Sequence, residues 1–125
     1  MTGMPRAGIR AVTDNHVTIR GNVCDQNNTW GIFTGFSDDL LIQGNIASRS
    51  ATQHGIYVSN SGDRPAIRGN MVWGNAGSGI QLNADLSSGG DGIISAALID
   101  GNTIYDNGRL GGSGINCDGI QNSRI

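Results

Sequence analysis

The chain contains no lysine and no glutamate, and its 125 residues include only two cysteines, two prolines and two histidines. Without lysine no Schiff base can form, so acid–base chemistry must come from aspartate, arginine, histidine or a bound metal. The net charge is -2 and no block of basic residues occurs, which removes the electrostatic footprint of a nucleic-acid-binding protein. No apolar run reaches the roughly 18 residues that span a membrane, and residues 1–6 lack the apolar segment of a signal peptide. We therefore expect neither nucleic acid nor membrane as a partner.

Glycine, by contrast, is abundant, with 21 residues, and much of it lies in a repeat. Four copies of an apolar residue, a spacer and Gly-Asn carry the asparagines Asn22, Asn45, Asn70 and Asn102. They alternate with Gly-Ile pairs that begin at Gly8, Gly31, Gly55, Gly79 and Gly114. The Gly-Ile pairs follow one another at steps of 23, 24, 24 and 35 residues. A repeat of this length predicts a solenoid, in which each unit buries its apolar face against its neighbours.

Within each repeat the apolar residues alternate with a period of two, which is typical of strands. One inward column contains Ile9, Ile32, Ile56, Ile80 and Ile115. Two further columns lie three residues before and two residues after each ladder asparagine, which predicts three short strands per coil. Glycine suits the left-handed backbone of a tight corner, and asparagine side chains bond to backbone groups there. We expect Asn22, Asn45, Asn70 and Asn102 to form a hydrogen-bonded ladder along the axis, with a second polar column at Asn27, Ser50, Asn75 and Asn107.

With these stacks the chain resembles the right-handed parallel β-helix superfamily, the pectin-lyase-like proteins, over residues 8–125. The resemblance implies an all-β solenoid of about five coils of 23–24 residues, with three short strands per coil. It also implies a secreted or cell-surface location, since the superfamily includes lyases, hydrolases, epimerases, tailspikes and surface proteins. A leucine-rich repeat is disfavoured because only six leucines occur, without the required spacing.

We interpret residues 1–125 as one β-helix domain with an inserted loop at 84–96, to which we assign the eleven extra residues of the long fourth step. Ile125 occupies the same position in its repeat as Ile19, so we expect the chain to be a fragment of a longer solenoid. Open coils at the ends of such a fragment favour end-to-end self-association. Cys24 and Cys117 fall on different coils, too far apart for a disulfide.

A binding surface is predicted beside the Gly-Ile column, because the resemblance implies a substrate groove over the outer face of one sheet. The outward positions there are Arg10, Phe33, Tyr57 and Gln81, with Trp30 and His54 just before their strands. Exposed aromatic rings with polar tips are suited to stacking on sugar rings. The alternative is that the aromatic residues stabilise the sheet alone.

The corner after these strands carries Asp38, Asp39, Asp63 and Arg64, the residues we single out as candidate catalytic groups. A carboxylate beside an arginine can act as a general base, and stacked carboxylates can bind Ca²⁺, although aspartate is also a common turn residue. His16 and His54 show no metal-binding spacing, so no zinc site is expected. Asn116-Cys117-Asp118 resembles a catalytic stretch of polygalacturonases, but the other motifs of that family are missing.

The leading hypothesis is a polysaccharide-engaging segment of a secreted or surface β-helix protein, either within a lyase, hydrolase or epimerase or without turnover. The alternative is a purely structural or adhesive solenoid, as in a surface protein or tailspike.

Overall fold

The computed structural model describes residues 1–125 and shows a parallel β-helix, which confirms the predicted fold. About five coils each contribute strands to three parallel sheets. The first sheet contains, in spatial order, β1 (Ala7–Val12), β4 (Trp30–Gly35), β7 (Ile56–Ser59), β10 (Ile80–Asn83) and β14 (Ile115–Asp118). The second contains β2 (Thr18–Arg20), β5 (Leu41–Gln43), β8 (Ala66–Arg68) and β12 (Leu98–Asp100). The third contains β3 (Val23–Asp25), β6 (Ile46–Ser48), β9 (Met71–Trp73) and β13 (Thr103–Tyr105).

Inward side chains of successive coils meet in register and form a single apolar core. Ile32 pairs with Ile9 on one side and with Ile56 on the other, and Ile56 pairs with Ile80. Ile32, Ile56 and Ile80 are completely buried. The second and third sheets add Ile42, Ile67, Cys24 and Val72 to the same core. Cys24 and Cys117 are free thiols, as the distance argument predicted.

One core position carries a hydroxyl without a hydrogen-bond partner. Thr34 lies between Ala11 and Val58 in the inward column of the first sheet, and its Oγ1 is buried and unpaired. A buried unpaired polar group costs about 1–3 kcal/mol of stability. We expect Thr34→Val to raise the free energy of unfolding by roughly 1 kcal/mol, measured by urea denaturation. Thr34→Ala removes the hydroxyl as well as a methyl group, and a larger gain for it than for valine would contradict this explanation.

Left-handed backbone recurs at three corners of each coil, not only at the glycine corner. The predicted glycines Gly21, Gly44, Gly69 and Gly101 have φ between 60° and 67°. The corner after the third sheet uses Gln26, Arg49, Gly74 and Asp106 in the same conformation. The corner before the second sheet uses His16, Asp39, Arg64 and Ala96. A side chain in this conformation costs roughly 1–2 kcal/mol, so the contacts between stacked coils must offset that strain at the positions without glycine.

The asparagines at the glycine corner bond coil to coil. In each pair the Oδ1 of one asparagine accepts the backbone N–H of the asparagine on the preceding coil, at 2.9 Å for Asn70 and Asn45. The side-chain amide of Asn70 donates to Ile42 O at 2.9 Å. Asn22, Asn45 and Asn102 continue the same pattern. The second polar column repeats it at Asn75 and Asn107.

The extra residues of the fourth coil are divided between two segments, which corrects their assignment to 84–96 alone. Gly79 precedes Asn102 by 23 residues where Gly55 precedes Asn70 by 15, so eight of the eleven extra residues lie in the first segment. The other three lie between Asn102 and Gly114. The strand pairing of Ile67 with Ile99 and of Ile80 with Ile115 fixes this division.

The 84–96 segment returns to the body of the solenoid after a short 3-10 helix, Leu86–Ser88. The backbone N–H groups of Asp91 and Gly92 donate to Ser61 Oγ, at 3.1 and 3.2 Å. The segment ends in β11 (Ile94–Ser95), which pairs with β15 (Ile120–Gln121). The structure contains no helix with the length and hydrophobicity needed to cross a bilayer.

Candidate functional site

The predicted outward residues of the first sheet form one continuous column. Phe33 pairs with Arg10 and with Tyr57, Tyr57 pairs with Gln81, and Gln81 pairs with Asn116. Because neighbouring strands are about 4.8 Å apart, these side chains follow one another along the solenoid axis at that interval.

Four rings at the centre of this sheet form one continuous cluster, in which each ring contacts at least one other. We call this cluster the platform: Trp30, Phe33, His54 and Tyr57. Trp30 and Phe33 have ring centroids 4.5 Å apart at a tilt of 34°. Phe33 and Tyr57 meet edge to face at 5.5 Å, and His54 meets Tyr57 edge to face at 5.2 Å. All four side chains are partly exposed, so the cluster presents aromatic surface to solvent.

Polar and cationic groups border the platform. The guanidinium groups of Arg6 and Arg10 lie 5.8 Å from the ring centres of Trp30 and Phe33, respectively. Trp30 Nε1 donates to Gln53 Oε1 at 3.2 Å, and Asn83 Nδ2 donates to the Tyr57 hydroxyl at 3.3 Å. These contacts fix two of the rings by their polar tips, as expected of buried or half-buried tryptophan and tyrosine.

Gln81 continues the column, but its side chain has little free surface. The residue is 8% exposed, and its Oε1 accepts a hydrogen bond from Asn116 Nδ2 at 3.0 Å. Gln81 can therefore contribute to the predicted binding surface only through the edge of its side-chain amide, next to the amide of Asn116.

The candidate catalytic residues form a hydrogen-bonded corner that joins successive coils. Arg64 Nε donates to Asp39 Oδ1 at 2.6 Å, and this contact holds the pKa of Asp39 below its usual range. Asp38 Oδ1 accepts the backbone N–H of Asp63 at 2.7 Å, and Asp63 Oδ1 accepts the backbone N–H of Ser95 at 2.8 Å. An acid or base needs a pKa near the working pH, so Asp39 is tuned away from proton transfer. Each of these contacts joins one coil to the next, so the observed bonds of these side chains belong to the stacking of coils.

The same corner gives no support to a calcium site. Arg64 Nη2 lies 3.8 Å from Asp38 Oδ2 in addition to its bond with Asp39, so a guanidinium group already lies within ion-pair distance of two of these carboxylates. No group of three histidine, cysteine or aspartate side chains converges anywhere in the chain. Calcium binding requires about six to eight oxygen ligands, whereas each carboxylate of this corner is already engaged by a hydrogen bond within the protein.

A second aromatic column on the outer face of the third sheet was not predicted from the sequence. Trp73 and Tyr105 pair in register, with parallel rings 6.0 Å apart at an angle of 4°. The guanidinium of Arg49 lies 5.2 Å from the centre of the Trp73 ring and pairs with Asp25. The signal was present, because Trp73 and Tyr105 both lie three residues after a ladder asparagine.

His54 is the platform residue whose side chain is bonded to the backbone of the next coil. Its Nδ1 accepts the backbone N–H of Ser78 at 2.9 Å, so the neutral ring carries its proton on Nε2. Burial lowers the pKa of His54 below its ordinary value of 6.5. The imidazole is accordingly neutral at pH 7.

Comparison with known protein families identifies one family that matches the chain. The NosD family, described as periplasmic copper-binding proteins, matches residues 1–125. The chain belongs to the NosD family. NosD is a right-handed parallel β-helix family, in agreement with the structure. Its periplasmic description agrees with the expected location outside the cytoplasm. No curated protein and no solved structure matches the chain.

The residues of this NosD-family chain do not fit a copper site. Thioether, thiolate and imidazole groups are the ligands that suit copper. The Cys24 thiol is completely buried in the apolar core, where burial raises its pKa. His54 uses Nδ1 for Ser78, and His16 lies at a corner beside Asp39. Met71 lies on the outer face of the third sheet, between Ile46 and Thr103 of the neighbouring strands. These donors are dispersed over different sheets and corners and do not converge on one point.

Proposed function

We propose that this chain is a glycan-binding β-helix segment that acts outside the cytoplasm and binds a linear polysaccharide on the first sheet. The observation that carries the proposal is the contiguous platform of Trp30, Phe33, His54 and Tyr57. An aromatic face combines an apolar body with a polar tip, which matches the C–H faces and hydroxyls of a sugar ring.

The geometry favours a ligand that runs along the solenoid axis. The platform and the amides beyond it follow one column across successive coils, at intervals of about 4.8 Å. A pyranose ring has a similar length, so consecutive sugars would contact consecutive coils. Arg6 and Arg10 lie at one end of this path and supply hydrogen-bond donors there.

Binding without turnover is the favoured form of this function. Glycoside hydrolysis needs two carboxyl groups about 5–9.5 Å apart, with at least one poised to donate a proton. The three candidate carboxylates Asp38, Asp39 and Asp63 instead accept bonds from Arg64 or from backbone N–H groups. We therefore assign these residues to coil stacking and assign the platform to the ligand.

The test is to measure binding and turnover on one panel of polysaccharides. The protein is mixed with polygalacturonate, alginate and neutral glucans, and binding is followed by affinity electrophoresis and calorimetry. Unsaturated products and reducing ends are followed in parallel, with and without Ca²⁺. We expect binding without product. If unsaturated products or reducing ends accumulated, the proposal of binding without turnover would be wrong and the protein would be an enzyme.

Removal of two rings of the platform is expected to weaken this binding. The double variant Phe33→Ala, Tyr57→Ala should bind at least about tenfold more weakly, a loss of about 1.4 kcal/mol in binding free energy. The matched control is Trp73→Ala, Tyr105→Ala, which removes an aromatic pair of similar size from the third sheet. Circular dichroism confirms that both variants fold. Unchanged binding in the first variant, or an equal loss in the control, would rule out the platform as the binding surface.

A further inference from the structure

His54 connects the platform to the coil that follows it. Its ring contacts Tyr57 edge to face at 5.2 Å, while its Nδ1 accepts the backbone N–H of Ser78 at 2.9 Å. The Tyr57 ring in turn contacts Phe33 and Trp30, at 5.5 and 6.2 Å between centroids. A change at the imidazole therefore reaches every ring of the platform through Tyr57.

The ring of His54 is closely packed on its Nδ1 side. A Cβ atom added at Gly77 would lie 2.7 Å from His54 Nδ1 and 3.1 Å from the carbonyl carbon of Gln53. Gly77 N–H also donates to Gln53 O at 2.7 Å. The imidazole is thus held between the residue that precedes it and the Gly77-Ser78 turn, and this leaves it little freedom to rotate away from Ser78.

Protonation would reverse the chemistry of this contact. A proton on Nδ1 replaces an acceptor with a donor, and that donor would face the Ser78 N–H, which is also a donor. The two N–H groups cannot remain at 2.9 Å, so the charged ring must move. Because Gly77 closes one side, the movement is directed toward Tyr57.

No charged side chain compensates a proton on His54. The Tyr57 phenol is the titratable group in contact with the imidazole, and His54 takes part in no ion pair. From the neighbouring elements, Arg6 lies over Trp30 and Arg109 reaches Ser50 O at 3.4 Å. Both are cations, so neither would stabilise an imidazolium.

We propose that His54 is the positioning residue of the platform, and that glycan binding requires its neutral form and weakens in mildly acidic solution. This inference rests on the proposed function for its ligand, but the movement of Tyr57 that it predicts takes place in the free protein.

The direction of the pH dependence follows from burial of the ring. The pKa of His54 is lower in the folded protein than in the unfolded chain, whose value is about 6.5, because burial disfavours the charged form. The unfolded chain therefore binds the proton first as the pH falls. The contribution of His54 to stability is complete above about pH 6.5, decreases as the pH falls toward the lower folded pKa, and is constant below that value.

The experiment follows His54 and Tyr57 by NMR in the free protein between about pH 7.5 and about pH 5, the range in which histidine titrates. The comparison variant is His54→Asn, whose amide oxygen can accept the Ser78 N–H but cannot take up a proton. We expect the Tyr57 ring signals of the original protein to move with the His54 transition. In His54→Asn they should stay fixed. His16→Asn, at an exposed corner, is the matched control and should behave as the original protein does.

Glycan binding is measured over the same range with a soluble neutral glucan and with polygalacturonate. We expect the affinity of the original protein to fall at least about tenfold between the neutral and the acidic end, whereas that of His54→Asn, whatever its value at neutral pH, should not change with pH. The inference would be overturned if the Tyr57 ring signals did not shift with the His54 transition. It would also be overturned if the pH dependence of the Tyr57 signals or of glycan affinity persisted in His54→Asn. If neither glycan binds at any pH, the proposed ligand is wrong, while the Tyr57 titration still decides whether His54 positions the platform.

Discussion

Replacement of Asn70 with alanine is expected to lower the free energy of unfolding by about 3–5 kcal/mol, because it leaves the buried backbone N–H of Asn45 without a partner and removes three further side-chain hydrogen bonds. Asn70 Oδ1 accepts the backbone N–H of Asn45, and Asn70 Nδ2 donates to Ile42 O, both at 2.9 Å. Asn70 is 1% exposed, so water cannot replace the lost side chain without opening the corner.

Asn22 provides the matched control for this prediction. It occupies the same corner, and its Nδ2 donates to Arg20 O and to Asn45 Oδ1. Its Oδ1 accepts no hydrogen bond from another coil, and the residue is partly exposed. Asn22→Ala should therefore cost less than about 1 kcal/mol. Urea denaturation followed by circular dichroism measures both variants. Similar losses for the two would show that the ladder contributes little beyond helping each corner to turn.

The second large effect is expected at Gly55, where alanine should destabilise the protein by about 3 kcal/mol or more. A Cβ atom there would lie 2.5 Å from Val72 Cγ1, 2.6 Å from Asn75 Nδ2 and 2.9 Å from Gly79 O. The last of these atoms is backbone of the next coil and cannot move without separating two strands. The contact with Asn75 Nδ2 would also disturb the second polar column, because that nitrogen donates to Ala47 O.

Gly69 separates this steric effect from the conformational preference of glycine. Its φ is +60°, but an added Cβ would have no atom within 4 Å. Gly69→Ala should cost only the roughly 1–2 kcal/mol of a left-handed alanine. Thermal and urea unfolding of the two alanine variants, together with their soluble yields, measure the difference. A larger loss at Gly69 than at Gly55 would show that backbone conformation, not close packing of strands, explains the repeated glycines.

The fold could be predicted from the sequence because its two strongest constraints repeat with the same period. Isoleucine at every Gly-Ile step must be buried, and Ile32, Ile56 and Ile80 are. The Gly-Asn pairs identified one corner, since glycine marks left-handed backbone. The other two left-handed corners use residues such as Gln26, Arg49 and Ala96, which have no shared type and therefore left no pattern.

The site was predictable only in part, for a related reason. Alternation alone assigns the outward column, so the sequence predicts that Phe33 and Tyr57 share one face. The contact of His54 Nδ1 with Ser78 N–H depends on the path of a turn, which alternation does not specify. Trp73 and Tyr105 share an offset from the ladder asparagines, but the two earlier repeats carry Asp25 and Ser48 there. A column with mixed residue types is visible only once the coils are stacked.

The asparagine ladder also gives the solenoid a direction. After Asn22 in the first coil, the Oδ1 of each ladder asparagine accepts from the coil before, and its Nδ2 donates back to a carbonyl of that coil. The upper and lower surfaces of a coil are therefore complementary, and each internal coil offers its neighbours the same bonds. A whole coil could be duplicated or deleted during evolution without leaving the adjoining amides unpaired, so the length of such a rod can change while its corner chemistry stays constant.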